Sequence, residues 1–192
     1  MPLIKDRYIR IGYQGGWSHY EDFLKVAGHL KELMDKFNNL VFVFMGQTYD
    51  GAMQDYPQDR VVKEKWVDMA VYPYKFKTLN IDIGIAPLAD TQFNRCKSEL
   101  KWEEYGSLAI PCVASNIPPY QYAINHGRTG FLANNGEWGE IISNLIQDKG
   151  LRLNIGEQAR QEVTSKYGLD KEIYQYINAF DSLYGKEIIL AK

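Results

Sequence analysis

The chain has little of several things, and each scarcity narrows what it can be. It holds only two cysteines, Cys96 and Cys112, among 192 residues. They fall in different segments and match no metal-ligand spacing, so both read as reduced thiols and neither a disulfide framework nor a zinc site is implied. Charge of one sign is missing too: 22 basic residues face 24 acidic ones, for a net charge of −2. A nearly balanced surface carries no basic face, which argues against nucleic acid as a partner. No apolar run approaches the roughly 20 residues needed to span a bilayer. The opening MPLIKDRYIR has no apolar h-region, so a signal peptide is not expected and a cytoplasmic protein is. Repeats, low-complexity tracts and linkers are absent, as is an Asp-x-Asp motif or any carboxylate cluster of the kind that holds a divalent cation.

What is present alternates. Tyr8 to Gln14 is rich in β-formers and reads as a first strand, stopped by GGWS. Ser18 and Glu21 have capping-box spacing at the start of a helix. Along that helix Phe23, Ala27, Leu30, Met34 and Phe37 keep a 3.6-residue period. LVFVFMG, Leu40 to Gly46, is a continuous apolar run of the kind covered on both faces. Gln47 to Pro57 reads as irregular, followed by a short strand or turn and a short helix over Tyr72 to Thr78. Ile81 to Leu88 is a strand, ADTQFNRC a loop, Ser98 to Ala109 a helix and IPCVAS a buried strand. A short helix behind two prolines, a turn with an edge strand, and helices over Glu137 to Gln147, Leu151 to Tyr167 and Asp170 to Leu183 complete the chain. Apolar strands alternating with helices imply an α/β fold: a Rossmann-like parallel sheet flanked by helices on both faces, as one domain over residues 1–192.

In such sheets ligands bind beyond the carboxyl ends of the strands, and three features stand there. Gly15 and Gly16 remove Cβ atoms either for a ligand's approach or for a tight strand-to-helix turn. Arg95 and Lys97 flank the expected helix start at Ser98, which is either an anion site suited to a diphosphate or a solvated basic turn capped by that serine. Glu104 lies on one helical stripe with Leu100 and Leu108, expected to face inward. A carboxylate beside the core is costly without a partner. It either accepts bonds from a ribose diol or pairs with Lys101 or Arg95. His19 is open in the same way, as a ligand contact or as a plain residue of the helix cap. Tyr72 to Tyr74 either flank a base or belong to the core.

At these residues the sequence resembles a known family. The run from KSELKWEEYGSLAIPCVAS to the HGRTGFL turn and the EW helix is similar to the C-terminal, donor-binding half of GT-B glycosyltransferases of group 1, the GT4-like kind. Lys97, Ser98, Leu100, Lys101, Glu104, Tyr105, Ile110 and Pro111 fit its pattern, as do Ala114, Ser115, Gly127, Thr129, Gly130 and Trp138. The match is specific over residues 81–167 and weaker over Tyr8 to Gly46. The resemblance implies a domain that binds a nucleoside-diphosphate sugar of UDP or GDP type, without a metal or other cofactor, for transfer to a glycan or lipid-linked acceptor. It implies that Glu104 holds the ribose, as the second acidic residue of an E-x7-E motif. The helix start with Arg95, Lys97, Ser98, Glu99 and Leu100 would hold the diphosphate, and Gly15, Gly16 and His19 would approach the phosphates or the sugar. Pro118 to Tyr120 would line the far side of the cleft. Two departures stand out. Cys96 occupies the place of the first motif glutamate, and the basic pair expected after the first strand is replaced by Gln14 and His19. The resemblance also implies a separate N-terminal acceptor domain, absent from this chain, and a site of action peripheral to the inner face of a membrane. A non-catalytic nucleotide-sugar-binding or scaffolding module of the same fold is the alternative. A flavodoxin-like domain is less favoured, because GGWSH offers neither hydroxyl-rich phosphate ligands nor paired aspartates.

Overall fold

A computed structural model describes residues 8–47 and 49–184. Its chain alternates strand and helix: β1 (Ile9–Gly15), α1 (Tyr20–Lys36), β2 (Leu40–Gly46), α2 (Asp50–Met53), β3 (Val61–Glu64) and α3 (Tyr72–Thr78). Then follow β4 (Ile83–Ala86), α4 (Gln92–Arg95), α5 (Leu100–Ser107), β5 (Cys112–Ser115), α6 (Pro118–Ala123) and β6 (Phe131–Ala133). Three helices come last among the described residues, α7 (Trp138–Gln147), α8 (Lys149–Lys166) and α9 (Leu169–Tyr184). The six strands form one sheet in the order β3-β2-β1-β4-β5-β6, every neighbouring pair parallel. The Rossmann-like fold class read from the sequence is the observed one.

The uniform strands explain the layering. Along β2, Leu40, Phe42 and Phe44 point into one core, with Phe23, Leu30 and Met34 of α1 and Ile142 and Leu145 of α7. Val41, Val43 and Met45 point into the other, with Phe76 of α3, Trp102 and Tyr105 of α5, Tyr120 of α6 and Val163 of α8. Period-2 alternation with both faces covered is why the strand reads as an unbroken apolar run.

Strand order reverses between β1 and β4, since β1 continues to β2 on one side while β4 leads to β5 on the other. The connections leaving the carboxyl ends of these two strands diverge to opposite sides and open a crevice. Glycines let the walls close around it. Gly12 and Gly84 are register partners, and a Cβ on Gly84 would lie 2.4 Å from the ring of Tyr105. That ring therefore lies flat on the sheet, and its hydroxyl reaches β1, with its oxygen 2.8 Å from Gly12 O. Gly46 ends β2 at φ +122°, where a Cβ would also meet the carbonyl oxygen of Gly15 at 2.4 Å, so only glycine fits.

Several boundaries differ from the sequence reading, for local reasons. The capping box of Ser18 and Glu21 does not form. A 3-10 turn covers Trp17–His19, so α1 begins later and the side-chain pair at its start is His19 with Asp22. The expected loop ADTQFNRC contains α4, capped by Thr91, whose hydroxyl oxygen accepts from Asn94 N at 3.1 Å. The helix expected from Ser98 starts at Leu100, with Glu99 at the cap position and no side-chain cap bond. Its buried face is Trp102, Tyr105 and Gly106. The stripe of Leu100, Glu104 and Leu108 is thus not the core face, and Leu100 is 55% exposed. The stretch taken as irregular, Gln47 to Pro57, contains α2.

Candidate functional site

At the crevice between β1 and β4 lies a cleft of about 340 Å³. Its floor is the end of β1, Gln14 and Gly15, with Leu88 from the segment after β4. One wall is the 3-10 turn with Gly16 and His19. The facing wall is the start of α5, with Lys97, Ser98, Leu100, Lys101 and Glu104. Tyr120 of α6 stands on the far side, and Trp66, Met69 and Tyr72 close the end under β3 and α3.

Glu104 has a partner inside the protein. Gln14 Nε2 donates to Glu104 Oε2 at 2.9 Å. Gln14 is itself fixed, because Tyr105 OH donates to its Oε1 at 2.5 Å. The amide thus hands its donor end to the carboxylate, which holds Oε2 of Glu104 at the cleft. Tyr72 stands beside this pair, its phenol pushed up by burial and by the Glu104 charge.

The two glycines have different reasons. A Cβ on Gly15 would lie 2.9 Å from the Tyr13 ring and 3.0 Å from Tyr49 OH, so internal packing accounts for it. At Gly16 nothing lies within 4 Å of a Cβ position, and its backbone is extended at φ −95°. No internal contact requires the bare Gly16, which leaves open space over the cleft wall.

The cationic wall is unevenly engaged. Lys97 Nζ lies 3.9 Å from Asp22 Oδ2 and 5.0 Å from the centroid of the Phe93 ring. Lys101 makes no hydrogen bond or ion pair among the described residues. Burial pushes its ammonium's pKa down; Glu104 opposes that fall and Lys97 adds to it. The amides of the first turn of α5 lack i−4 carbonyl partners, as at any helix start. Together they make one wall of partial and full positive charge.

Asp22, in the first turn of α1, ties the two walls together. Its Oδ1 accepts from Ala89 N at 2.7 Å and from Asn94 Nδ2 at 2.8 Å. Its Oδ2 lies 2.7 Å from His19 Nδ1. Burial acts to raise this carboxyl; the His19 hydrogen bond, the Ala89 amide and the Lys97 charge outweigh it, and the pKa lies below its ordinary value.

Of the nine residues singled out in the sequence, seven meet at this cleft: Gly15, Gly16, His19, Lys97, Ser98, Leu100 and Glu104. Arg95 and Glu99 do not line it. Arg95 is drawn to Asp90, with Nε to Oδ1 at 2.6 Å and Nη2 to Oδ2 at 2.9 Å, because α4 turns it outward. Glu99 accepts from Tyr167 OH at 2.6 Å on the α8 side. Cys96 is exposed at the end of α4, outside the cleft lining. Tyr120 lines the cleft. Tyr72 is both core and lining, while Tyr74 is exposed. Sequence reasoning overlooked Asp22, Trp66, Met69 and Leu88. It met Lys101 as a residue of the family pattern and a possible partner for Glu104, without a place in the site. The signal for Lys101 was its place one turn before Glu104 on the same helix. Asp22 gave none, since apart from His19 its hydrogen-bond partners Ala89 and Asn94 are 67 and 72 residues away in the chain. Among the described residues no group of three or more His, Cys, Asp and Glu side chains could hold a metal ion, and no helix is long and apolar enough to cross a membrane.

No protein-family model matches the chain. Over 70 residues, 35% of the chain, it is 31% identical to N-acetyl-alpha-D-glucosaminyl L-malate synthase of Bacillus anthracis, covering 18% of that protein. Among solved structures it is similar to sucrose-phosphate synthase from Thermosynechococcus elongatus, with a TM-score of 0.75 at 15% identity over 95% of this chain and 47% of that one. HepE of Anabaena, solved in complex with UDP, gives 0.72 at 16% identity over 93% and 50% of the two chains. The C-terminal domain of the group 1 glycosyl transferase LpcC of Francisella tularensis gives 0.62 at 16% identity, covering 84% of this chain and 87% of that domain. The fold is therefore shared with these transferases, and the chain spans half or less of the two longer structures.

Proposed function

We propose that this chain is the donor-binding domain of a glycosyltransferase that moves a sugar from a nucleoside-diphosphate sugar, of UDP or GDP type, to a glycan or lipid-linked acceptor. The observation that carries the reading is the arrangement on α5. An oriented carboxylate, Glu104, stands one turn beyond a wall of Lys97, Lys101 and free helix amides, across a switch-point crevice. A ribose on Glu104 puts the diphosphate against that wall. Gly16 leaves room for it on the opposite side, with His19 and Ser98 beside it. Trp66 and Tyr72 form an aromatic end suited to a base. The UDP held by HepE, which shares the fold, supports the ligand class.

In transfer, the bond between the sugar's anomeric carbon and the diphosphate oxygen breaks. Negative charge builds on the departing phosphate, and preorganised donors aimed at it lower the barrier. Lys97, Lys101 and the α5 amides are those donors in this reading, and they take the place of a metal ion. The acceptor and its contacts belong to a further domain. A cytoplasmic site of action, beside a membrane where the acceptor is lipid-linked, completes the reading. The exposed Cys96 favours a second reading, a module that binds the donor without transferring it, because no carboxylate stands where the family pattern has one for the sugar.

The test is calorimetric titration of the chain with UDP, GDP and ADP and with one sugar conjugate of each. Saturable binding of one diphosphate and its conjugate is expected; no binding to any of them overturns the reading. Lys97→Ala is expected to weaken diphosphate binding by about 1 kcal/mol, near fivefold, and to leave the nucleoside unaffected. Equal losses for both ligands would place Lys97 away from the phosphates.

A further inference from the structure

Lys101 stands apart from the other lysines. Lys31, Lys75, Lys97 and Lys101 are the partly buried ones among the described residues. Lys31 faces Asp35, Lys75 faces Glu64 at 2.7 Å and Lys97 faces Asp22 at 3.9 Å. Lys101 lines the cleft and makes no ion pair or hydrogen bond among the described residues. Burial pushes its ammonium's pKa down; Glu104 of α5, Asp22 of α1 and Cys112 of β5 act to raise it, and Lys97 acts with burial. An amine drawn partly out of water with no counter-ion in contact is neutral for a larger fraction of the time, and the neutral amine is the nucleophile.

The wall around that amine suits a phosphate. Lys97 and Ser98 line the same cleft of about 340 Å³. The amides of Leu100 and Lys101 open α5 and have no backbone acceptor among the described residues. A phosphate seated on this wall brings whatever is bonded to it into the cleft beside the Lys101 amine. Donors that steady a departing diphosphate equally steady a departing monophosphate, since both leave with charge on a phosphate oxygen. One class of small molecule joins the two requirements. An acyl phosphate has a carbonyl carbon open to an amine and a phosphate as its leaving group.

We propose that Lys101 is a modification site, acylated by small acyl phosphates that seat their phosphate on the α5 wall, and that the acylated chain loses its hold on the donor diphosphate. The neutral Nζ adds to the acyl carbon and a C–N bond forms. The bond from that carbon to the phosphate oxygen breaks, its electron pair leaves with inorganic phosphate, and the proton shed by nitrogen passes to water or to the departing phosphate. The product is an amide, which carries no charge at any ordinary pH, so the wall is left one cation short. The acylation stands on the cleft's own geometry; its effect on donor binding rests on the donor-site reading above.

The experiment treats the chain with acetyl phosphate at neutral pH and follows each lysine by peptide mass spectrometry. Lys65 and Lys77, both exposed and without an ion pair among the described residues, report the background rate. Lys101 is expected to be acetylated at least about tenfold faster than either. Acetic anhydride, which carries no phosphate, should shrink that preference several-fold. Inorganic phosphate should slow acetyl phosphate at Lys101 and leave Lys65 and Lys77 unchanged. After removal of the reagent, the acetylated chain should bind UDP or GDP, whichever the untreated chain binds, about tenfold or more weakly in calorimetry. Lys101→Gln, which carries a neutral amide, should show the same loss without treatment. Lys101→Arg keeps a charge that does not react, and its affinity should not change on treatment. Acetylation of Lys101 at the background rate, or an equal preference with both reagents, overturns the proposal and leaves the donor site standing. So does fast acetylation that leaves diphosphate affinity unchanged. Fast, phosphate-guided acetylation of a chain that binds neither diphosphate overturns the donor site and the loss of donor binding with it, while the acylation itself stands.

Discussion

Replacing Lys101 with methionine is expected to make the chain more stable and its cleft weaker at once. The ammonium is partly withdrawn from water on the cleft wall and makes no hydrogen bond or ion pair among the described residues. A charge taken partly out of water without a partner costs stability, and an apolar side chain of similar length and volume removes that cost. A gain of about 1–2 kcal/mol in unfolding free energy is expected from the urea midpoint at neutral pH. The pH dependence checks the cause. Because burial lowers the ammonium's pKa in the folded state, the unfolded chain binds more protons between that lowered value and the ordinary one. Wild-type stability therefore gains on the variant as pH rises through that interval, and the difference between the two proteins shrinks in alkali. The same substitution removes a cation from the proposed diphosphate wall. Affinity for a nucleoside diphosphate should fall by about 1.5–3 kcal/mol, with little change for the nucleoside. A cation on a cleft wall with no hydrogen bond or ion pair of its own is suited to a ligand of the opposite sign. A less stable variant with unchanged diphosphate affinity would show instead that Lys101 only packs.

How much of this was legible in the sequence follows from how far apart the interacting residues lie. The long strands and helices were readable because β2 buries both faces and α1 keeps one, and each pattern is local. The short helices α2 and α4 were not, since four residues show no period. The start of α1 misled. Ser18 and Glu21 have the right spacing for a capping box, but the same arrangement one residue later, His19 with Asp22, gained a buried carboxylate that also serves Ala89 and Asn94. Tertiary contacts won over an equal local option. Arg95 and Glu99 were placed by chain proximity to Lys97 and Ser98. The turn of α4 and the later start of α5 send them elsewhere, to Asp90 and Tyr167. Glu104 shows both sides. Its helical position marked it as an odd carboxylate, but its partner Gln14 is 90 residues away, and only the sheet's register with Tyr105 brings them together.

That pairing sets up the other large expected effect. Glu104→Ala should weaken binding of a nucleoside and of its diphosphate alike, by about 1–3 kcal/mol, the scale of lost charge-assisted hydrogen bonds. A ribose contact is common to both ligands, so the loss has to appear in both, whereas losses at Lys97 and Lys101 appear only in the diphosphate. Glu104→Gln separates charge from shape. The new amide can still accept from Gln14 Nε2 through its oxygen, so the side chain stays in place while it loses the charge that strengthens bonds from a diol. It should recover part of the affinity that alanine loses, and a 2′-deoxynucleotide should bind the wild type and Glu104→Ala more nearly alike than the ribonucleotide does. Stability is expected to change little in Glu104→Gln, whose oxygen still accepts from Gln14, and to fall by about 1 kcal/mol in Glu104→Ala, which leaves the buried Gln14 amide without its acceptor. Unchanged affinity in Glu104→Ala would mean that the carboxylate exists to hold Gln14 at the end of β1 and that the ribose lies elsewhere in the crevice.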